Sequence, residues 1–130
     1  MIVDTSALLA ILYREPEADD FINLINDSEA KLSAASYIET GAVIDRVGDP
    51  VASRELDDLI TLGEVRIEPV TEHQARIGRQ AYRDFGKGSG HPAQLNFGDC
   101  FAYALAKTAD EALLYKGNDF NHTDLSSAAV

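Results

Sequence analysis

Apolar residues along this chain fall into short runs that alternate with longer stretches of helical spacing. Met1-Ile2-Val3 opens a buried strand over 1–5, and Thr5 or Ser6 is placed to cap a helix over 6–13. That helix, Ala7-Leu8-Leu9-Ala10-Ile11-Leu12-Tyr13, is apolar almost all round. It is therefore either buried on every side or covers a partner as well as the core. Glu15-Pro16-Glu17 interrupts it, and Phe21, Ile22, Leu24 and Ile25 form the stripe of a second helix that runs to residue 27. Residues 30–35 predict a short strand. Helices over 36–47 and 51–62 follow, separated by Gly48-Asp49-Pro50 and closed by Gly63. Val65 to Val70 alternates with period two and predicts a strand with Pro69 near its end. A helix over 72–85, a glycine-rich loop over 86–92, a helix over 97–108 and a strand over 112–115 come next. The tail from Leu125 to Val130 adds a last short strand or helix.

Strands separated by helices imply an α/β fold with a central parallel sheet, covered on both faces through right-handed crossovers. The expected architecture is a three-layer α/β/α sandwich with four or five strands, in a single domain over 1–130. A chain of 130 residues buries roughly two-thirds of its unfolded surface and needs no covalent staple. Its single cysteine, Cys100, excludes an internal disulfide. The acidic Met-Ile-Val-Asp start has no basic leader region, and no apolar run approaches the roughly 18 residues of a membrane span. These features point to the cytoplasm and away from a membrane.

The net charge of −11 argues against a nucleic-acid partner, because phosphate binding relies on basic patches. Location tempers this. Arg76, Arg79, Arg83 and Lys87 recur at spacings of three and four, which places them on one helical face, while acids crowd 15–29 and 55–72. The stripe is either a solvated face or a phosphate-binding one.

Four carboxylates stand at element ends: Asp4 after the first strand, Glu39 and Asp99 in predicted first turns of helices, and Asp119 after Gly117-Asn118. In parallel α/β sheets ligands bind outside the carboxyl ends of the strands. Each acid also has a structural explanation. Ser36-Tyr37-Ile38-Glu39 matches a capping box, Asn96-Phe97-Gly98-Asp99 is a weaker version of it, and Asp4 or Asp119 caps a following turn. Asp4 is the hardest to explain so, because a carboxylate ending a buried strand is desolvated. Two carboxylates about 4 Å apart repel by on the order of 4 kcal/mol at an effective dielectric of 20, so four converging acids call for a cation. Mg²⁺ or Mn²⁺ prefers such oxygen donors and supports phosphodiester hydrolysis. Thr5 and Ser6 are candidates to orient Asp4 or a metal-bound water, or to cap the first helix, and Asn96 to hold Asp99 or substrate, or to serve as an N-cap. His73, His91 and His122 lack metal-ligand spacing, Cys100 reads as core, and Gly86 to Gly90 lacks the ending of a phosphate-binding loop.

Four blocks carry a resemblance: Ile2-Val3-Asp4-Thr5-Ser6-Ala7-Leu8, Ser36-Tyr37-Ile38-Glu39-Thr40, Leu95-Asn96-Phe97-Gly98-Asp99-Cys100 with the helix after it, and Leu113-Leu114-Tyr115-Lys116-Gly117-Asn118-Asp119-Phe120. In this order the chain resembles the PIN-domain ribonucleases, and among them the VapC-like toxins of type II toxin–antitoxin pairs. The resemblance implies a metal-dependent endoribonuclease that cleaves structured RNA, tRNA or rRNA, and inhibits translation. It implies that Asp4, Glu39, Asp99 and Asp119 form the acidic site, with Asp4 and Asp99 as principal ligands of Mg²⁺ or Mn²⁺ and Glu39 and Asp119 in support. It also implies a cognate small antitoxin and a homodimer that becomes a heterotetramer or larger assembly with it. A non-catalytic flavodoxin-like regulatory or protein-binding module is the alternative, its acids serving as caps or as a Mg-stabilised site. Against it, a receiver-like domain would want an early acidic pair and an aspartate ending the middle strand, and Ala30 to Ala35 ends without one.

Overall fold

The computed structural model describes residues 1–129, and four parallel strands form its sheet in the order β3-β2-β1-β4. The strands are β1 (Ile2–Val3), β2 (Lys31–Ser33), β3 (Arg66–Glu68) and β4 (Leu113–Leu114). Two helices separate each consecutive pair: α1 (Thr5–Leu12) and α2 (Ala18–Asn26), α3 (Ala34–Asp45) and α4 (Pro50–Leu62), α5 (Glu72–Phe85) and α6 (Asp99–Ala109). This is the three-layer parallel architecture that the alternation predicts. The tail supplies an edge contact in place of a full element. Leu113 bridges Ser127 in parallel, with the Leu113 N–H donating to Ser126 O and the Ala128 N–H to Leu113 O, both at 2.9 Å. Val130, the end of the predicted tail element, lies outside the described residues.

Strand geometry divides the core. Successive side chains point to opposite faces, so Val3, Leu32 and Leu114 join Ala7, Leu8, Ile11, Phe21 and Ile25 on one side. Ile2 and Leu113 join Ala81, Leu95, Ala102, Tyr103 and Leu105 on the other. Helix α1 is the buried version of the two possibilities left by its sequence: every residue of it is buried except Ser6 and Leu9. Helix α6 is nearly as enclosed, and α5 lies close against it. A Cβ at Gly78 of α5 would come within 3.3 Å of Cys100 O, so the missing side chain allows that approach.

Several boundaries differ from expectation for local reasons. Helix α3 begins at Ala34 rather than 36, because Ser33 caps it by accepting from the Ala35 N–H at 3.3 Å, and two alanines favour the first turn. Lys87 falls beyond the end of α5, where its N–H donates to Leu95 O at 2.9 Å, so the helical basic stripe contains three arginines only. The same bridge between Gly86 and Leu95 anchors the start of the glycine-rich loop. Among the described residues no helix is long and apolar enough to cross a membrane.

Candidate active site

The carboxyl ends of β1 and β4 lie side by side in the sheet, and Asp4 emerges between them. It caps α1: Oδ2 accepts from the Ser6 N–H at 3.0 Å and from Ser6 Oγ at 2.6 Å. Ser6 Oγ accepts in turn from the Lys116 N–H at 3.0 Å, which fastens the segment after β4 to the same acid. Asp4 is only 4% exposed. Burial pushes its carboxyl up from 3.8 to about 6; the bonds from Ser6 oppose this, and the charge of Glu39 adds to it.

Asp99 opens α6 through a reciprocal pair. Its N–H donates to Asn96 Oδ1 at 2.8 Å, and its Oδ2 accepts from the Asn96 N–H at 2.9 Å. This is the capping arrangement expected from sequence, with aspartate in the usual place of glutamate. Of the roles open to Asn96, the structure shows the contact with Asp99. Burial pushes the Asp99 carboxyl up from 3.8 to about 7; the Asn96 N–H opposes this, and the charges of Asp4, Asp119 and Glu39 add to it. Acids drawn from three other parts of the chain thus bear on Asp99.

The other two acids approach differently. Glu39 lies in the second turn of α3, since the helix starts at Ala34, so the expected Ser36–Glu39 capping box does not form. Its carboxylate extends over Gly98 at the entrance to α6. Asp119 is exposed on the rim and reaches Asp99 through charge. The two candidate hydroxyls also separate. Ser6 supports Asp4, whereas Thr5 Oγ1 donates to Ser36 O at 3.2 Å and accepts from Thr40 Oγ1 at 3.1 Å. Thr5 thus ties the end of β1 to α3, the helix that carries Glu39.

Other polar candidates lie outside this cluster. His91 Nδ1 accepts from the Ala93 N–H at 3.1 Å while its ring packs edge-on against Phe85, and His73 and His122 are exposed. Burial first, then the Asp99 charge, pushes the Cys100 thiol up to about 11, as befits an inert core cysteine. Arg76 pairs with Glu72 at 3.1 Å, whereas Arg79 and Arg83 are exposed and form no ion pair among the described residues. Sequence reasoning missed Gly98 and the Lys116 N–H. A glycine directly before an acid at a helix entrance was the available signal for the first.

The donor set suits a hard cation. It consists of carboxylate oxygens with no sulfur or imidazole, and its two most buried members are acids that a nearby positive charge would hold ionised. As the side chains stand, no group of three His, Cys, Asp or Glu among the described residues is closed on a common point. The cluster is assembled in charge without being collapsed in distance, as repelling carboxylates require.

Comparison with known proteins bears on the family and the fold. The PIN domain pattern matches residues 1–125. The chain is 58% identical to ribonuclease VapC28 of Mycobacterium tuberculosis over 129 residues, covering 98% of this chain and 97% of that one. It is 45% identical to ribonuclease VapC42 of the same species over 131 residues, covering 100% of both. Its fold matches the crystal structure of Mycobacterium tuberculosis VapC20, described as a sarcin-ricin loop cleaving toxin, with a TM-score of 0.72, 18% identity and 95% of each chain covered.

Proposed function

The chain belongs to the PIN-domain family, and on that premise we propose that it is a Mg²⁺- or Mn²⁺-dependent endoribonuclease, the toxin of a toxin–antitoxin pair, acting on structured cellular RNA and inhibiting translation. Relatives at 58% and 45% identity bear ribonuclease names over their full length, which favours RNA cleavage over a non-catalytic regulatory module. The observation that supports the site assignment is the placement of Asp4 and Asp99, both buried, with the Glu39 carboxylate beside Gly98 next to Asp99, at the carboxyl edge of a parallel sheet.

Asp4 and Asp99 would be the principal metal ligands. Each commits Oδ2 to a local hydrogen bond, with Ser6 and Asn96 respectively, so each carboxylate is fixed by one oxygen and offers the other. Glu39 and Asp119 would assist from α3 and the rim. A bound Mg²⁺ or Mn²⁺ supplies neutralising charge and a polarised water for attack on a phosphodiester. Ser6 and Asn96 orient the two principal acids, and Thr5 with Thr40 fixes the helix from which Glu39 reaches in.

One surface supports the antitoxin part of this reading. A groove of about 700 Å³ between α1, α2 and α4 has an apolar floor including Leu12, Ile22, Leu59 and Leu62, and acids Asp19, Glu55 and Asp58 along it. An amphipathic, basic segment of a small antitoxin suits such a surface. Homodimerisation, and a heterotetramer or larger assembly with the antitoxin, complete the proposal. Purified chain freed of antitoxin should cut RNA when Mg²⁺ or Mn²⁺ is added. Asp4→Asn or Asp99→Asn should lower the rate by at least about 100-fold, as expected when a metal ligand is lost. Equal cleavage by the parent and both variants would trace the activity to a contaminating nuclease.

A further inference from the structure

Gly98 precedes Asp99 at the entrance to α6 with φ −63° and ψ −36°, an ordinary right-handed helical conformation. The backbone therefore gives no reason for glycine here, and a residue with a side chain would lose less conformational freedom on folding. The space around it gives the reason. A Cβ built on Gly98 would lie 2.0 Å from Glu39 Oε2, 2.7 Å from Cδ and 2.9 Å from Oε1. The carboxylate of Glu39 thus occupies the volume that any side chain at 98 would take. The obstructed atoms are the free end of a flexible side chain, not backbone, so a substitution would turn the carboxylate aside and leave the packing of α3 and α6 standing. The arrangement also places an anion beside a helix N-terminus, where the dipole favours it.

We infer that Gly98 is a positioning residue: by having no side chain, it seats the Glu39 carboxylate against the start of α6, beside Asp99, and so sets the share of Glu39 in divalent-cation binding. This rests on the proposed acidic metal site. It assigns to the glycine a role that works through Glu39 alone, which a mutant cycle isolates. Mn²⁺ binding is measured calorimetrically, without RNA, for the parent, Gly98→Ala, Glu39→Ala, the double variant and Asp99→Asn, with thermal unfolding recorded for each. Gly98→Ala should fold and should weaken Mn²⁺ binding by about tenfold, the scale of an outer-shell defect. In the Glu39→Ala background the same change should have no further effect, because the obstructed carboxylate is gone.

Unchanged Mn²⁺ affinity in Gly98→Ala, or an equal loss with and without Glu39, overturns the inference. So does an unchanged affinity in Glu39→Ala. If Gly98→Ala fails to fold, the double variant decides: folding as well as Glu39→Ala supports the seat, and failing alike shows that the glycine serves helix packing instead. Loss of Mn²⁺ binding in Asp99→Asn alongside any of these negatives leaves the metal site standing without the glycine's role. Binding that survives Asp99→Asn undamaged removes the site itself.

Discussion

The two edges of the same sheet treat their acids in opposite ways. At the amino edge, Glu111 just before β4 receives hydrogen bonds from the N-terminal ammonium of Met1 and from Lys31 Nζ. These partners, Lys31 first, hold its carboxyl below the ordinary range. At the carboxyl edge, Asp4 and Asp99 are pushed up to about 6 and about 7, chiefly by burial. Lys116 lies next to that site, its N–H bonded to Ser6, yet its ammonium pairs with Glu15 and Glu17 at 3.2 Å each. Carboxylates at the two edges of one sheet are thus neutralised internally at one edge and left uncompensated at the other. The first pattern stabilises a fold, and the second leaves room for an external cation.

The contrast is broken most severely in catalysis. Glu111→Gln should leave the intrinsic cleavage rate of the folded protein within about twofold of the parent, while Asp99→Asn should reduce it at least about 100-fold. In stability the signs should reverse. Metal-free Asp99→Asn at pH 8 should be more stable than the parent by about 2 kcal/mol, because it removes a carboxylate that is ionised at this pH and that folding buries among other acids, while keeping an oxygen for the Asn96 N–H. Glu111→Gln should instead lose about 1 kcal/mol, the scale of a partly exposed ion pair. Chemical denaturation at pH 8 in EDTA measures both.

Acidity sharpens the comparison further. Asp4 and Asp99 have folded values above their ordinary 3.8, so the folded state holds more protons than the unfolded one across that interval. Their contribution to stability is full below pH 4 and falls as pH rises toward 7. Glu111, with a depressed value, contributes in the opposite sense: its stabilisation is present above its ordinary 4.5 and is lost as pH falls. The stability gain of Asp99→Asn should therefore vanish by pH 4, and the loss in Glu111→Gln should shrink at low pH. The smallest expected effect concerns the arginines of α5. Arg79→Glu with Arg83→Glu should weaken RNA binding a few-fold and flatten its salt dependence; an unchanged salt slope would mark these arginines as a solvated face.

The layer order was legible in the sequence because β1 and β4 are short apolar runs, β3 lies in a stretch of period-two alternation, and amphipathic or apolar helices separate them. Asp4 and Asp99 were legible because an acid ending a buried strand or opening an apolar helix has few innocent explanations. Glu39 was not. Its capping box was convincing locally, but the cap belongs to Ser33, and only the true start of α3 moves Glu39 to the turn from which it reaches α6. Capping also leaves room for the proposed chemistry at Asp4 and Asp99, since their hydrogen bonds to Ser6 and Asn96 use one carboxylate oxygen each. Gly98 offered only its place before an acid at a helix entrance, because the neighbour that fills its side-chain space lies 59 positions away in the chain.

The central claim is that the carboxyl-edge acids stay uncompensated until a divalent cation binds. Its most direct test is Mn²⁺ titration calorimetry at pH 6 and pH 8.5, each in two buffers of different ionisation enthalpy, so that proton release is counted with the affinity. Acids raised to about 6 and about 7 are partly protonated at the lower pH, so binding should release about one proton there and close to none at pH 8.5, and should be tighter at the higher pH. Binding with no proton release at pH 6, or the same Mn²⁺ affinity in Asp99→Asn as in the parent, would contradict it.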